Sequence, residues 1–269
     1  MGIRQMDLAN NIDIKQSDPF TIFIIRDFIK NETHERCLEN FPADMNLFMT
    51  DNLGKYRIEN FSPLMARLKS SPVWKDIFSR FRSPDFFREI MKANDDDGKY
   101  FHFSVNPLVN FINIFILGKK PYYISYEFSV IVSGGRIAPH TDSKNKIVTM
   151  MLYFPKSDQQ NGAGLGTEFY SFNPDKIDAY ENFENIHNDN NQFPDFDQDS
   201  MVSYSSRFEK NNLVGFFRSA YSWHAVNIED VPGDGLRRSL NVNYYYGPRS
   251  IFWYPLSQIK ALIKRYFLS

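Results

Sequence analysis

From Tyr122 onward the hydrophobic pattern repeats every two residues, which is the period of β-strands. Six short segments have this pattern, and each is bounded by Gly, Pro, Asn or Asp. They are residues 122–132, 147–154, 166–172, 212–219, 223–228 and 237–246. Because no helical segment separates them, the sequence predicts an antiparallel sandwich or jelly roll.

The last of these segments has two different faces, because side chains alternate along a strand. The polar face carries Arg237, Ser239, Asn241 and Asn243. The opposite face carries Arg238, Leu240, Val242 and Tyr244. This pattern fits the wall of a barrel. We expect the polar face to line a site and the apolar face to pack under helices from the amino-terminal part of the chain.

Those helices are predicted by three Ser-Pro pairs, at residues 62–63, 71–72 and 83–84. Serine at the cap with proline at the first helical position is a strong helix-start signal. A strand is expected at residues 21–29, a helix capped by Asn31 follows it, and residues 1 to about 18 are expected to be a loose leader.

The predicted organisation is a single domain covering residues 1–269, of mixed α+β class with a mainly β core. Residues 18–121 form an amino-terminal strand and supporting helices, and residues 122–247 form the jelly-roll core. Residues 174–200 are a polar insertion in that core, either disordered or a lid. Residues 248–269 have the spacing of an amphipathic helix, which we expect to dock onto its own domain or onto the partner in a homodimer.

Charge and cysteine content exclude several classes of protein. The formal net charge of −1 offers no global field for nucleic acid or an acidic membrane. The single cysteine, Cys37, excludes an internal disulfide framework and fits a reducing compartment. No apolar run is long enough for a signal peptide or a membrane span. We therefore expect a cytoplasmic protein without a nucleic-acid or membrane partner.

A histidine and an aspartate two positions apart, His140 and Asp142, are the strongest candidates for chemistry. In extended chain both side chains point the same way, so they can bind one metal ion. A third ligand must come from the remaining histidines, and His224 is the best candidate because it lies on a predicted strand. The others lie in the first helix, an aromatic stretch and the polar insertion: His34, His102 and His187.

Two imidazoles and one carboxylate form the facial ligand set of non-haem iron(II). The alternative for His140 and Asp142 is a simple hydrogen-bonded pair, which is common in proteins. Arg237 and Ser239 favour the metal site, because they follow His224 on one strand face. A guanidinium with a neighbouring hydroxyl is suited to binding the far carboxylate of a dicarboxylic acid.

In this order the residues resemble those of the iron(II)- and 2-oxoglutarate-dependent oxygenases, in the branch similar to prolyl 4-hydroxylases. The matching motifs are His140-Thr-Asp142, the distal His224 within residues 222–226, and Arg237-Arg-Ser239. Residues 146–154 and 164–169 also resemble segments of this branch. The resemblance spans about residues 18–247 and implies a double-stranded β-helix, a cupin-like jelly roll with flanking amino-terminal helices and a carboxyl-terminal helix.

The resemblance also implies a reaction. Iron(II), 2-oxoglutarate and O₂ would be used to hydroxylate an unactivated C–H bond, with release of succinate and CO₂. His140, Asp142 and His224 would bind the iron, and Arg237 and Ser239 the 2-oxoglutarate. Thr149 is expected to line the pocket.

The sequence does not define which residue of the predicted strand 122–132 contacts the cosubstrate. Many members of this branch have a tyrosine on that strand, but closer in sequence to the first histidine ligand than Tyr126 is to His140. Tyr126, Ser129 or neither could contact the cosubstrate. Arg218 is expected either to recognise an anionic substrate or to form a structural ion pair.

The substrate is expected to be a small molecule or a peptide: an amino acid, a prolyl residue, or a sugar or glycan precursor. The alternative functions are a cupin-like non-redox isomerase and a sugar-binding module.

Overall fold

The computed structural model describes residues 12–50, 53–96, 98–99, 101–103, 113, 117, 119–162, 164–172 and 200–247. Four α-helices precede the main strands: α1 (Asn31–Glu39), α2 (Pro63–Ser70), α3 (Pro72–Arg82) and α4 (Pro84–Lys92). Five strands lie in the same part: β1 (Ile12–Gln16), β2 (Ile22–Ile25), β3 (Met49–Thr50), β4 (Lys55–Ile58) and β5 (Phe101–His102). Eight further strands complete the fold: β6 (Lys120–Val132), β7 (Arg136–His140), β8 (Lys146–Tyr153), β9 (Glu168–Phe172), β10 (Ser200–Ser205), β11 (Leu213–Phe217), β12 (His224–Asn227) and β13 (Leu236–Tyr246).

These strands form two sheets. The larger has the order β1-β2-β11-β8-β13-β6-β4-β3, with β5 beside β6, and the smaller has the order β10-β9-β12-β7. From β6 to β13 the chain crosses between the sheets at every step except from β9 to β10, which stay in the smaller sheet. Between β6 and β13 the chain thus contributes four strands to the larger sheet, in the order β11-β8-β13-β6, and all four strands of the smaller sheet. This winding is a double-stranded β-helix, and it confirms the predicted jelly roll.

The two faces of the larger sheet bury two separate apolar clusters. On β8, Met150 and Leu152 pack on the side of the helices, whereas Met151 and Tyr153 point into the barrel between the sheets. Leu240 also lies on the helix side, as the alternation of its strand predicted. The sheet therefore separates a helix-packed outer layer from the inner face that lines the barrel.

Three helices of the outer layer, α2, α3 and α4, each begin at a serine cap. The side chains of Ser62, Ser71 and Ser83 accept hydrogen bonds from backbone N–H groups in the first turns of α2, α3 and α4. Proline occupies the first turn of each helix, where a missing N–H costs nothing. One face of α3 is apolar and packs on the larger sheet. Its residues Trp74, Ile77, Phe78 and Phe81 are all buried.

Several sequence predictions need correction or lie beyond the described residues. Residues 12–16 are a strand paired with β2 and belong to the fold, although a loose leader was expected there. The cap of α1 is Lys30 and not Asn31. Ser200–Ser205 is a strand paired with β9, so the end of the predicted insertion is part of the smaller sheet. The rest of the insertion and the predicted carboxyl-terminal helix lie outside the described residues.

Within the described ranges, no helix is both long enough and apolar enough to cross a membrane.

Candidate metal centre

Two paired strands of the smaller sheet bring the two candidate histidines together. His140 is the last residue of β7 and His224 the first of β12, and the two are direct partners in the antiparallel register. Their ring centroids are 4.3 Å apart. Asp142 follows two residues after β7, and one ligand atom from each of the three residues lies within 4.8 Å of the others. The site is a 2-His-1-carboxylate triad.

Backbone carbonyl groups determine which imidazole nitrogen faces the triad. Nδ1 of His140 lies 2.9 Å from the carbonyl oxygen of Ala138, and Nδ1 of His224 lies 2.9 Å from that of Ser222. A carbonyl oxygen can only accept a hydrogen bond, so each Nδ1 carries the proton and donates it. Each Nε2 therefore keeps its lone pair for a metal ion. In metal sites, a hydrogen bond from the other ring nitrogen commonly orients the histidine ligand.

Burial sets the protonation state of the triad. It lowers the pKa of His224 to about 3, and the neighbouring His140 adds to this effect. Burial likewise lowers the pKa of His140. For Asp142 burial alone would raise the pKa, but the ammonium of Lys146 and the two imidazoles bring it below its ordinary value. Two neutral imidazoles and one ionised carboxylate are the forms that bind a divalent cation.

Both oxygens of the Asp142 carboxylate are held by residues at the start of β8. Thr149 Oγ1 donates to Oδ2 at 2.5 Å, and Lys146 Nζ donates to Oδ1 at 2.5 Å. Arg218 Nε donates to the Asp142 carbonyl oxygen at 3.2 Å and so fixes the backbone of the same loop. Thr149 thus contacts a candidate metal ligand, and Arg218 has a structural contact with the ligand loop.

Arg237 is buried deeper in the barrel. Its side chain is 2% exposed, it donates to the Leu165 carbonyl oxygen, and its guanidinium lies over the Tyr153 ring at 5.1 Å. Burial lowers its pKa. Among the residues that the structure describes, no carboxylate forms an ion pair with this guanidinium. A buried charge without a counter-ion is costly, so the position is suited to an anionic ligand.

The other cosubstrate candidates differ in position. Ser239 is buried on the same strand face as Arg237, and its hydroxyl donates to Asn241 Oδ1 at 2.9 Å. Tyr126 lies on the helix side of the larger sheet, where its ring packs against Phe78 at 4.7 Å. The assignment of Tyr126 to the cosubstrate pocket is therefore wrong. Its neighbour Ser129 has the opposite orientation and is paired with Ser239.

Two residues at the site were missed by the sequence prediction. Lys146 holds the metal carboxylate, and the signal was a cation at the start of the strand that follows the ligand loop. Glu127 lies on the inner face of β6, where its carboxylate contacts Lys55 at 2.9 Å and Asn241 at 3.0 Å. A lone acid within the alternating apolar pattern of residues 122–132 was the available signal.

No protein-family model matches the sequence, and no curated protein is significantly similar to it. Solved structures do align with this chain. A prolyl-4-hydroxylase from Pseudomonas putida is 12% identical, with 90% of this chain and 99% of that chain covered, and a TM-score of 0.43. The non-heme α-ketoglutarate-dependent epimerase SnoN from nogalamycin biosynthesis is 11% identical, with 86% and 83% covered, and a TM-score of 0.45.

HygX from Streptomyces hygroscopicus, whose structure has nickel and 2-oxoglutarate bound, is 10% identical to this chain. The alignment covers 93% of this chain and 88% of HygX, with a TM-score of 0.41. The assignment of the metal centre rests on the contacts of the triad described above.

Proposed function

We propose that this chain is an iron(II)- and 2-oxoglutarate-dependent dioxygenase. It hydroxylates an unactivated C–H bond of its substrate and releases succinate and CO₂. The observation that supports this most strongly is the presence in one barrel of a metal-binding triad and of a buried guanidinium, that of Arg237, which has no carboxylate partner among the described residues.

The triad fits ferrous iron by its donor set. Imidazole nitrogen and carboxylate oxygen are the ligands of non-haem iron(II) sites with open positions. His140 and His224 direct their unprotonated Nε2 atoms to the site, and Asp142 supplies the charge. The three ligands come from two neighbouring strands and the loop after one of them. Three protein ligands would leave open positions on a bound iron ion.

Arg237 fits the far carboxylate of 2-oxoglutarate. Its partner ring, Tyr153, projects from the inner face of β8, as does Thr149, which contacts the metal carboxylate. Thr149 and Tyr153 are four positions apart on β8, which corresponds to about 13 Å along a strand. The guanidinium and the triad therefore share the interior of one barrel along β8, with an anion-binding group at one end and a cation-binding group at the other.

When bound, iron(II) with 2-oxoglutarate and O₂ supplies the oxidation of an unactivated C–H bond. The protein orients the ligands and excludes water from them. Phe216 packs on the ring of His224 with centroids 4.5 Å apart, and Phe169 lies at 6.3 Å. This apolar packing holds the imidazole in place and keeps it neutral.

The test is formation of succinate from 2-oxoglutarate by the purified protein with Fe(II) in air. We expect slow turnover without added substrate, and its loss in His140→Ala and Asp142→Ala. Asp158→Ala is the matched control, because Asp158 is exposed and contacts Asn161 at the surface. Turnover that persists in both triad variants would contradict the proposal. A cupin-like isomerase or a sugar-binding module would instead give no 2-oxoglutarate turnover in the wild type.

A further inference from the structure

One asparagine on the inner face of β13 has a buried polar atom that no described residue contacts. The inner face carries Arg237, Ser239, Asn241 and Asn243, because the alternating residues of the strand pack on the helix side. The Oδ1 atom of Asn243 is buried and has no hydrogen-bond partner among the residues that the structure describes. A buried acceptor of this kind costs free energy unless a bound group donates to it.

The neighbouring Asn241 is an amide on the same face with both ends occupied. Its Nδ2 donates to Glu127 Oε1 at 3.0 Å, and its Oδ1 accepts from the Ser239 hydroxyl at 2.9 Å. The barrel interior therefore can supply partners for an asparagine of this strand. The unpartnered acceptor of Asn243 is a property of its own position.

That position is beside the metal-binding triad. In the register between β13 and β8, Asn243 lies directly opposite Thr149. Thr149 Oγ1 in turn donates to Asp142 Oδ2 at 2.5 Å. Side chains directly opposite each other on antiparallel strands have Cβ atoms about 5 Å apart. Only one side chain, that of Thr149, therefore separates Asn243 in the register from the carboxylate of the triad.

The polar side chains around Asn243 do not supply the missing donor. Thr149 has one hydroxyl proton, and the contact with Asp142 uses it. Ser125 lies opposite Asn243 on β6, but its hydroxyl is not a partner of Oδ1. The Lys146 ammonium donates to the other oxygen of the Asp142 carboxylate. Within the described part of the chain, the donor for Asn243 must therefore come from a bound group.

We propose that Asn243 is a positioning residue for a water molecule coordinated to the metal ion. The triad of His140, Asp142 and His224 provides three ligands, so an iron(II) or zinc ion bound there keeps open positions that water fills. Coordination makes the water more acidic, and its O–H is then a strong donor to a buried carbonyl oxygen. The inference rests on the metal centre of the proposed function.

The competing donor is an O–H or N–H group of the substrate. A zinc titration separates the two donors, because it contains metal and water but no substrate. If water on the metal is the partner, loss of the acceptor changes the affinity for zinc. If the partner belongs to the substrate, the affinity for zinc stays the same.

The experiment compares Asn243→Leu with the wild type, since leucine has the same branching of heavy atoms and no polar group. Calorimetric titration of the metal-free protein with Zn(II) should give a dissociation constant about tenfold higher in the variant. Urea unfolding of the metal-free protein should give a midpoint at least as high as that of the wild type, because leucine removes a buried acceptor that has no partner. An asparagine with a merely structural role would give a lower midpoint.

Asn243→Asp is the second variant, and it decides the question if the leucine variant does not fold. Its carboxylate keeps an acceptor in the place of Oδ1 and adds a charge that attracts the cation. Zinc should therefore bind at least as tightly as to the wild type. Weaker binding would mean that the site uses the amide N–H and would overturn the inference.

Asn46→Leu is the matched control. Asn46 is exposed, and its amide contacts Asp44 in the segment before β3. This variant should bind zinc as the wild type does.

Unchanged zinc affinity in Asn243→Leu, or a lower urea midpoint of that variant without metal, would also overturn the inference. A wild type that still binds zinc and 2-oxoglutarate then leaves the dioxygenase proposal standing. If the zinc affinities follow the expected pattern but the zinc-loaded wild type binds no 2-oxoglutarate, the role of Asn243 stands and the dioxygenase proposal is wrong. A wild type that binds no zinc contradicts both.

Discussion

The ammonium of Lys146 lies 2.5 Å from Oδ1 of Asp142, the only carboxylate of the metal-binding triad. Both side chains are nearly buried, at 11% and 9% exposed. The Lys146 ammonium therefore contacts the same carboxylate that a metal ion would bind. This pair keeps Asp142 ionised before metal binds, and it also competes with the metal for the same oxygen.

Replacing Lys146 by methionine should therefore tighten metal binding. The variant leaves a nearly buried carboxylate without a counter-ion, and the entering cation restores the charge balance. We expect the dissociation constant for Zn(II) to fall at least about fivefold, measured by calorimetric titration. Lys144→Met, at an exposed position in the same loop, should bind as the wild type does. Weaker binding in Lys146→Met would contradict a competing role for this ammonium.

Thr149 should have the opposite effect, because its hydroxyl orients the metal ligand. Oγ1 donates to Asp142 Oδ2 at 2.5 Å, and residues that orient metal ligands are commonly worth a factor of about 10 to 100 in affinity. Thr149→Val keeps the shape but removes the donor, so Zn(II) affinity should fall within that range. Thr149→Ser restores the hydroxyl and should restore affinity. If valine and serine bind alike, the hydrogen bond does not orient the ligand.

Arg237 is predicted to contribute to the binding of 2-oxoglutarate and not to the binding of metal. Arg237→Met preserves much of the side-chain volume but removes the buried guanidinium that a carboxylate would pair with. We expect the KM for 2-oxoglutarate to rise by at least about tenfold, with Zn(II) affinity in the absence of 2-oxoglutarate unchanged.

The matched control is Arg238→Met. Arg238 is adjacent in sequence, but its guanidinium pairs with Asp234 and has no contact with the barrel interior in the described residues. The same KM in both variants would contradict the role assigned to Arg237.

His34 gives the fold a pH dependence that is independent of the metal centre. Its ring is fully buried, stacks on Phe154 at 4.8 Å and lies 2.9 Å from the Tyr153 carbonyl oxygen. Burial lowers its pKa, so the folded chain keeps this imidazole neutral. An unfolded histidine takes up a proton below about pH 6.5. The unfolded state then binds more protons than the folded one, and the free energy of unfolding decreases as pH falls below that value.

Urea unfolding at pH 8.0 and pH 5.5 measures this effect. Wild type should lose more stability between the two pH values than His34→Gln, because glutamine does not titrate. The two proteins share every other histidine, so the difference isolates His34. Equal losses would mean that His34 is protonated in the folded state.

The local signals in the sequence predicted the scaffold well. Ser62, Ser71 and Ser83 cap helices because a Ser-Pro pair acts within one turn and needs no distant partner. Residues 136–140 were not among the six predicted strands. The strand forms because β7 is at the edge of the smaller sheet, where Pro139 needs no second neighbour.

Contacts between distant strands could not be predicted in the same way. The three triad residues were proposed from their ligand types and order, but the choice between Tyr126, Ser129 and neither stayed open because one sequence does not say which face of β6 is inward. The structure puts Tyr126 on the helix side. The pairing of Glu127 with Asn241 depends on the register between β6 and β13, which are over a hundred residues apart. That register is a property of the folded barrel.

The central claim is that His140, Asp142 and His224 hold one divalent metal ion together, and a titration of metal-free protein with Ni(II) tests it most directly. Wild type is predicted to bind one ion per chain in the micromolar range or tighter, and each of His140→Ala, Asp142→Ala and His224→Ala is predicted to lose this binding. Retention of one tightly bound ion per chain by all three variants would contradict the claim.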